Sequence, residues 1–236
     1  MTGDADTARA LDWERIGHDL DGLGRAVVPG LLNLEECRAY VDGYGEGARY
    51  RSRVVMERHG FGRGEYQYFA YPLPHRLHVL RAQLYAPLAH LANRWALALG
   101  AEGGYPARHA DFIARCHAAG QTRPTPLILR YGEGDYNCLH QDLYGEHVFP
   151  LQVAVLLSQP GEDFSGGEFV LTEQRPRMQS RVDVVPLRQG DAVIFPVSQR
   201  PVAGVRGSYR VTMRHGVSRL HGGQRYTLGI IFHDAQ

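Results

Sequence analysis

The chain has 236 residues, 44% of them hydrophobic, which is enough to bury one sizeable core, and it reads as a single domain over 1–236. Net charge is only +1, no apolar run approaches the ~18 residues of a membrane span, and Met1 to Asp12 is short, polar and acidic, so neither a spanning helix nor a secretory leader is expected. Three cysteines, Cys37, Cys116 and Cys138, cannot all pair and lack metal-site spacing, which excludes a disulfide framework and fits a reducing, cytoplasmic setting.

Residues 1–120 read as a mainly helical support with a few strands. Arg25 to Val28 is a short strand ended by Pro29-Gly30, and Asn33 with Glu36 forms a capping box opening a helix through about Tyr44. Arg51 to Met56 and Glu65 to Ala70 read as strands. Between them His59-Gly60-Phe61-Gly62-Arg63-Gly64 is either a plain surface hairpin or a loop that closes over a site. Pro72 and Pro74 start a long helical stretch through Leu99, with Pro87 as a kink or break and Leu88, Leu91, Trp95 and Leu99 facing a sheet. Ala107 to Ala119 follows Pro106 as a helix and stops at Gly120.

From Thr125 onward helical periodicity fades and short strands alternate with turn signals. Strands are expected at 125–131, 149–157, 168–172, 181–186, 191–196, 210–215 and 225–232, and an extended stretch around His140 makes eight. The class is α+β, with a jelly-roll (double-stranded β-helix) core over 121–236 and supporting N-terminal helices. That architecture also serves other chemistries, so the fold alone does not settle function.

Within this half, His140-Gln141-Asp142 offers an imidazole and a carboxylate two positions apart. Such spacing puts both on one face of a strand but on diverging faces of a helix. The same pattern occurs at His109-Ala110-Asp111, inside the predicted helix, where it reads as a solvated face. Downstream, Val211, Met213 and His215 alternate with Arg210, Thr212 and Arg214, so His215 points inward. Two histidines and one carboxylate on one side of a ferrous ion leave the opposite positions open for co-substrate and dioxygen. His221 competes with His215 but lies in the Gly222-Gly223 turn, and His233 reads as a strand-end residue. Cys138 is a soft donor without a second cysteine nearby and reads as a packed residue or a site of oxidative damage. Arg225 and Thr227 share a face of the last strand, and a buried arginine needs an anion, either a side chain or a small dicarboxylate.

Taken together, Arg130-Tyr131-Gly132-Glu133-Gly134-Asp135-Tyr136 leading into His140-Gln141-Asp142, Phe164 to Phe169, Gln189 to Phe195, His215-Gly216-Val217 and Gly223 to Thr227 resemble the Fe(II)- and 2-oxoglutarate-dependent dioxygenases. The resemblance covers roughly Leu127 to Phe232 and leans toward the prolyl-hydroxylase-like and AlkB-like branches. It implies that His140, Asp142 and His215 hold Fe(II), that Arg225 binds the far carboxylate of 2-oxoglutarate, and that Thr227 and Tyr131 assist. It also implies that dioxygen and 2-oxoglutarate are consumed, succinate and carbon dioxide released, and a C–H bond hydroxylated.

Charge bears on the substrate. All 26 basic residues are arginine, and ten fall between Arg175 and Arg225 against only Asp183 and Asp191, a local charge of +8. Such a lobe favours an anionic target, with nucleic acid the natural candidate. Alternatively, these arginines pair with the acidic front half or line an outer sheet face. Three functions stay open: oxidative dealkylation of nucleic acid, hydroxylation of a prolyl side chain or small metabolite, and a non-catalytic metal-binding or sensing module.

Overall fold

A computed structural model of the chain describes residues 10–101, 104–205 and 207–236. Residues 1–9 of the polar, acidic N-terminus lie outside the described residues, as does Arg206 of the basic lobe.

Among the described residues four α-helices form the support: α1 (Trp13–Leu23), α2 (Leu34–Asp42), α3 (His75–Ala98) and α4 (His109–Ala118). The sequence reading missed α1, although its signals are present. Asp12 caps it by accepting the Arg15 amide, Ile16 and Leu20 are its buried stripe, and Gly24 ends it in the left-handed conformation. The capping box that opens α2 forms as expected, with Asn33 N–H donating to Glu36 Oε2 at 2.8 Å and Glu36 N–H donating to Asn33 Oδ1 at 2.9 Å. Asn33→Ala removes one of these bonds and is expected to cost about 1 kcal/mol. A thermal melt should therefore fall by about 2–4 °C. Pro87 does not break α3, which runs through it for 24 residues. Leu84, Tyr85, Leu88, Leu91 and Trp95 are buried on both sides of the proline, and their burial outweighs the roughly 3 kcal/mol cost of a mid-helix proline.

The strands are β1 (Ala26–Val28), β2 (Tyr50–Val55), β3 (Gly62–Arg63), β4 (Glu65–Phe69), β5 (Leu127–Tyr131), β6 (Tyr136–His140), β7 (Leu151–Leu156), β8 (Phe164–Gly166), β9 (Phe169–Gln174), β10 (Arg181–Val185), β11 (Ala192–Pro196), β12 (Gln199–Gly204), β13 (Gly207–Val217), β14 (Leu220–Gly223) and β15 (Arg225–Ile231). A larger sheet runs β1-β11-β7-β15-β5-β4-β2, and a smaller one runs β10-β9-β13-β6-β3 with β12 beside β13. The neighbouring strands of both are antiparallel, and β14 pairs with β8 separately. The expected double-stranded β-helix is therefore the fold. β12 escaped sequence reading because Pro201 and Gly204 argue against a strand; at a sheet edge both are tolerated.

Alternation along the larger sheet separates two environments. Leu151, Val153 and Val155 of β7 and Leu228 and Ile230 of β15 join the cluster packed by the four helices. The intervening residues turn to the space between the sheets, where Ala154, Val193 and Phe195 meet Phe169, Leu171 and Val185 of the smaller sheet. Arg225 and Thr227 fall on this inner side, as does Gln152, the one polar residue of β7.

Candidate active site

His140 closes β6, and its direct cross-strand partner on β13 is His215. Register alone brings the two rings to 4.1 Å between centroids, because directly opposed residues of an antiparallel pair share one face. Gly216 permits this approach, since a Cβ there would lie 2.7 Å from the Asn137 carbonyl oxygen. Asp142 follows on the segment after β6. Its Oδ1 is 3.5 Å from His140 Nε2 and its Oδ2 is 3.3 Å from His215 Nε2. One donor atom from each residue lies within 4.8 Å of the others, so the three converge on a single point.

The donors are also prepared chemically. His140 Nδ1 lies 2.8 Å from the Cys138 carbonyl oxygen, which assigns the proton to Nδ1 and leaves the Nε2 lone pair toward the cluster. Burial opposes charge on Asp142, but its close contacts with the two imidazoles outweigh it and hold the carboxyl well below its usual range. Burial lowers His215, whereas at His140 the Asp142 carboxylate overcomes burial and raises it. Two nitrogens and one anionic oxygen in a largely buried cluster are a donor set that fits Fe(II).

The triad opens on a cavity of about 400 Å³ that Arg225 also lines. Arg225 is 1% exposed, stands directly across from Tyr131 in the pairing of β15 with β5, and donates from Nη1 to Thr227 Oγ1 at 2.6 Å. Its Nε and the Tyr131 hydroxyl make no hydrogen bond of good geometry, and among the described residues no carboxylate lies within ion-pair distance. Burial lowers the guanidinium to about 10, against the opposing influence of Tyr131 and Glu168. A buried, uncompensated cation facing a cavity is a receptor for an anion, which fits a dicarboxylate co-substrate.

The glycine-dense segment combines the two forms expected from sequence, because it joins the antiparallel pair β2 and β4 and also reaches the cavity. β3 pairs with β6, and Cys138 N–H donates to the Phe61 carbonyl at 2.9 Å, so the segment is strapped along the strand that carries His140 while Gly60 and Phe61 line the cavity. Gly62 is required there: its φ is +123°, and a Cβ would sit 2.3 Å from the Tyr136 carbonyl oxygen.

The rival residues lie elsewhere. His109 and Asp111 diverge on α4 as expected, but His109 is buried rather than solvated, with Nε2 2.8 Å from the Phe232 carbonyl oxygen, while Asp111 pairs with Arg108. His221 is an exposed residue of β14, and His233 is fully buried after β15, its Nδ1 accepting the Phe149 amide. Cys138 is exposed on the cavity rim. Among the ten lobe arginines, Arg175, Arg181 and Arg200 converge on Glu173, just outside the counted window, while Arg210 and Arg214 occupy the outer face of β13. Asp183 in turn pairs with Arg25 of the front half.

Two side chains touching the triad went unnoticed in the sequence. Tyr144 Oη donates to Asp142 Oδ1 at 2.7 Å, and Gln152 Nε2 donates to Oδ2 at 3.0 Å. Gln152 carried a legible signal, a lone amide within the apolar run from Leu151 to Leu157; Tyr144 carried none.

Residues 64–235 match the family model Oxygenase-NA, described as "Oxygenase, catalysing oxidative methylation of damaged DNA". The chain belongs to that family. This oxygenase is also 50% identical over 167 residues to the Mycobacterium tuberculosis H37Rv protein Rv2227, covering 71% of this chain and 72% of that protein. Its fold is similar to a Pseudomonas putida prolyl-4-hydroxylase, with a TM-score of 0.55, 13% identity, and 95% and 99% of the two chains covered. It is likewise similar to an oxidoreductase of the 2OG-Fe(II) oxygenase family from Burkholderia pseudomallei, with a TM-score of 0.54, 13% identity, and 96% and 93% covered. Family and fold together put this oxygenase in the Fe(II)- and 2-oxoglutarate-dependent superfamily, whose cofactors are Fe(II), 2-oxoglutarate and dioxygen. No helix among the described residues is long and apolar enough to cross a membrane.

Proposed function

We propose that this oxygenase, acting as a single domain in the cytoplasm, removes alkyl groups from damaged nucleic acid by hydroxylating the alkyl carbon. In this reading His140, Asp142 and His215 hold Fe(II), while Arg225, Thr227 and Tyr131 hold 2-oxoglutarate. The observation that carries it is the shared cavity: a convergent pair of imidazoles with a carboxylate, and a buried guanidinium that no carboxylate side chain among the described residues pairs with, open on the same space.

Charge supports the pairing. Fe(II) on two neutral imidazoles and one carboxylate leaves a net positive charge, a dicarboxylate turns it negative, and Arg225 restores neutrality where unbalanced charge is costly. Bound together, iron and the 2-oxo acid supply the oxidation: 2-oxoglutarate and dioxygen yield succinate, carbon dioxide and one oxygen atom inserted into a substrate C–H bond. The protein's own contribution is placement. The Arg225 fork would fix one end of the co-substrate, Thr227 would orient that fork, and Phe169 and Phe195 beside His215 keep water from the cluster.

For the substrate, the support is the family description and the cavity wall. Tyr66, Tyr68 and Tyr144 line it with Phe61, which suits a flat base carrying a small alkyl group. Hydroxylating an N-methyl carbon gives a hemiaminal that collapses to the bare base and formaldehyde, so the product of oxidation is dealkylation.

The test is succinate and formaldehyde release by iron-loaded protein given methylated oligonucleotide, its unmethylated twin, or proline-rich peptide. Methylated oligonucleotide is expected to raise succinate at least several-fold over its twin, with formaldehyde in equal amount. Stimulation by the peptide instead would move the reading to prolyl hydroxylation. Stimulation by neither, with basal turnover present, would leave a small metabolite, and absence of all turnover would favour the sensing module.

A further inference from the structure

Asp142 lies on an irregular segment between β6 and β7, so no strand ladder fixes its backbone as β6 and β13 fix the two histidines. Its side chain is nevertheless held at both ends, Oδ1 by the Tyr144 hydroxyl at 2.7 Å and Oδ2 by the Gln152 amide at 3.0 Å. We propose that Tyr144 and Gln152 are positioning residues that grip the two oxygens of Asp142 and so decide how this carboxylate meets the metal. The proposal rests on the ligand assignment above.

Gln152 is an expensive residue for the fold. It is 3% exposed in a strand whose other members are apolar, and its Oε1 has no hydrogen-bond partner. A valine would serve packing better there. What the amide does contribute is a bridge across the cluster, since Nε2 also lies 3.2 Å from His215 Nε2. Once a metal occupies the His215 lone pair, that contact ends and the amide is left to Asp142 alone.

Tyr144 arrives from the opposite side and is itself held. Its ring meets Tyr68 edge-on at 6.5 Å and lies 6.2 Å from His233, and the Tyr68 hydroxyl hydrogen-bonds to it. Arg51 stacks over Tyr68 at 4.3 Å, so the front-half hairpin of β2 and β4 braces the tyrosine that braces the ligand. With a donor on each oxygen, rotating the carboxylate to chelate with both would break a charge-assisted hydrogen bond. The pair therefore favours one-oxygen ligation and leaves coordination positions open. Partners of this kind typically alter metal affinity by about 10–100-fold.

The test titrates metal-free protein with Co(II), reading affinity and the visible absorption band, for wild type, Tyr144→Phe, Gln152→Leu, Asp142→Ala and Tyr50→Phe. Tyr50→Phe is the control, because it removes a half-buried hydroxyl bonded to the Gly43 carbonyl at 3.2 Å, outside the cavity wall. Tyr144→Phe and Gln152→Leu should each weaken Co(II) by about 10–100-fold and change the band, with thermal melts showing both folded. Tyr50→Phe should match wild type in both. Wild-type affinity and band in either cavity variant would overturn that residue's role, while Asp142→Ala losing the metal would show the ligand assignment intact. Failure of Tyr144→Phe to fold would also overturn the proposal, which gives the hydroxyl no part in folding. Absence of Co(II) binding by wild type would bring down the ligand assignment and this inference together.

Discussion

His140→Ala is expected to abolish 2-oxoglutarate turnover and to weaken Fe(II) or Co(II) binding by about two orders of magnitude, with the fold intact. The size follows from apportioning the ~10–16 kcal/mol of a typical four-ligand site, about 3 kcal/mol per ligand. The fold should survive because His140 is at the end of β6, is part-exposed, and its ring bonds the Cys138 carbonyl only two residues away. His109→Ala makes the contrast, since that buried ring bonds the Phe232 carbonyl and packs on Tyr85, so its loss should lower the melting temperature and leave metal binding unchanged. Calorimetric titration with a parallel melt reads both. Undiminished turnover in His140→Ala would falsify the ligand assignment.

Arg225→Gln should act on the co-substrate and spare the metal. Losing a buried, charge-assisted fork is worth about 3 kcal/mol, so the 2-oxoglutarate requirement should rise roughly 100-fold while Co(II) affinity stays as in wild type. A second, less intuitive effect follows from burial. Arg225 is lowered to about 10 in the folded protein, so below that pH both folded and unfolded states carry the charge and only the folded state bears its desolvation. Without co-substrate, the variant should therefore melt a few degrees higher than wild type, by about 1–2 kcal/mol. Adding 2-oxoglutarate should raise the wild-type melt and leave the variant's almost unmoved. Equal 2-oxoglutarate requirements in the two proteins would remove Arg225 from the binding site.

Some elements were legible because their signals are local. The Asn33 and Glu36 capping box acts over three residues, and β7, β11 and β15 fall close to the expected 149–157, 191–196 and 225–232. His140 and His215 could be picked from twelve histidines because strand alternation fixes the face each presents. Signals depending on distant partners were not readable. β12 is a strand because β13 folds back on it, against its own proline and glycine. How far the charge lobe is neutralised was unreadable for the same reason: Glu173 is just outside the window yet receives Arg175, Arg181 and Arg200. The glycine-dense segment could not be decided between a hairpin and a cavity wall, because the strand that straps it down, β6, lies more than seventy residues later.

By itself the sequence determined which residue types were available for chemistry, the β-rich class of the second half, and the order in which ligand and anion-binding candidates occur, all consequences of side-chain identity and short-range periodicity. Only the tertiary structure decided that β6 lies opposite β13 in a register pairing His140 with His215, that Arg225 is buried with no carboxylate partner among the described residues, and that Tyr144 and Gln152 close on Asp142. The physical reason is that register and burial depend on packing between segments far apart in the chain, where each strand's environment is supplied by its neighbours and is not encoded in its own residues.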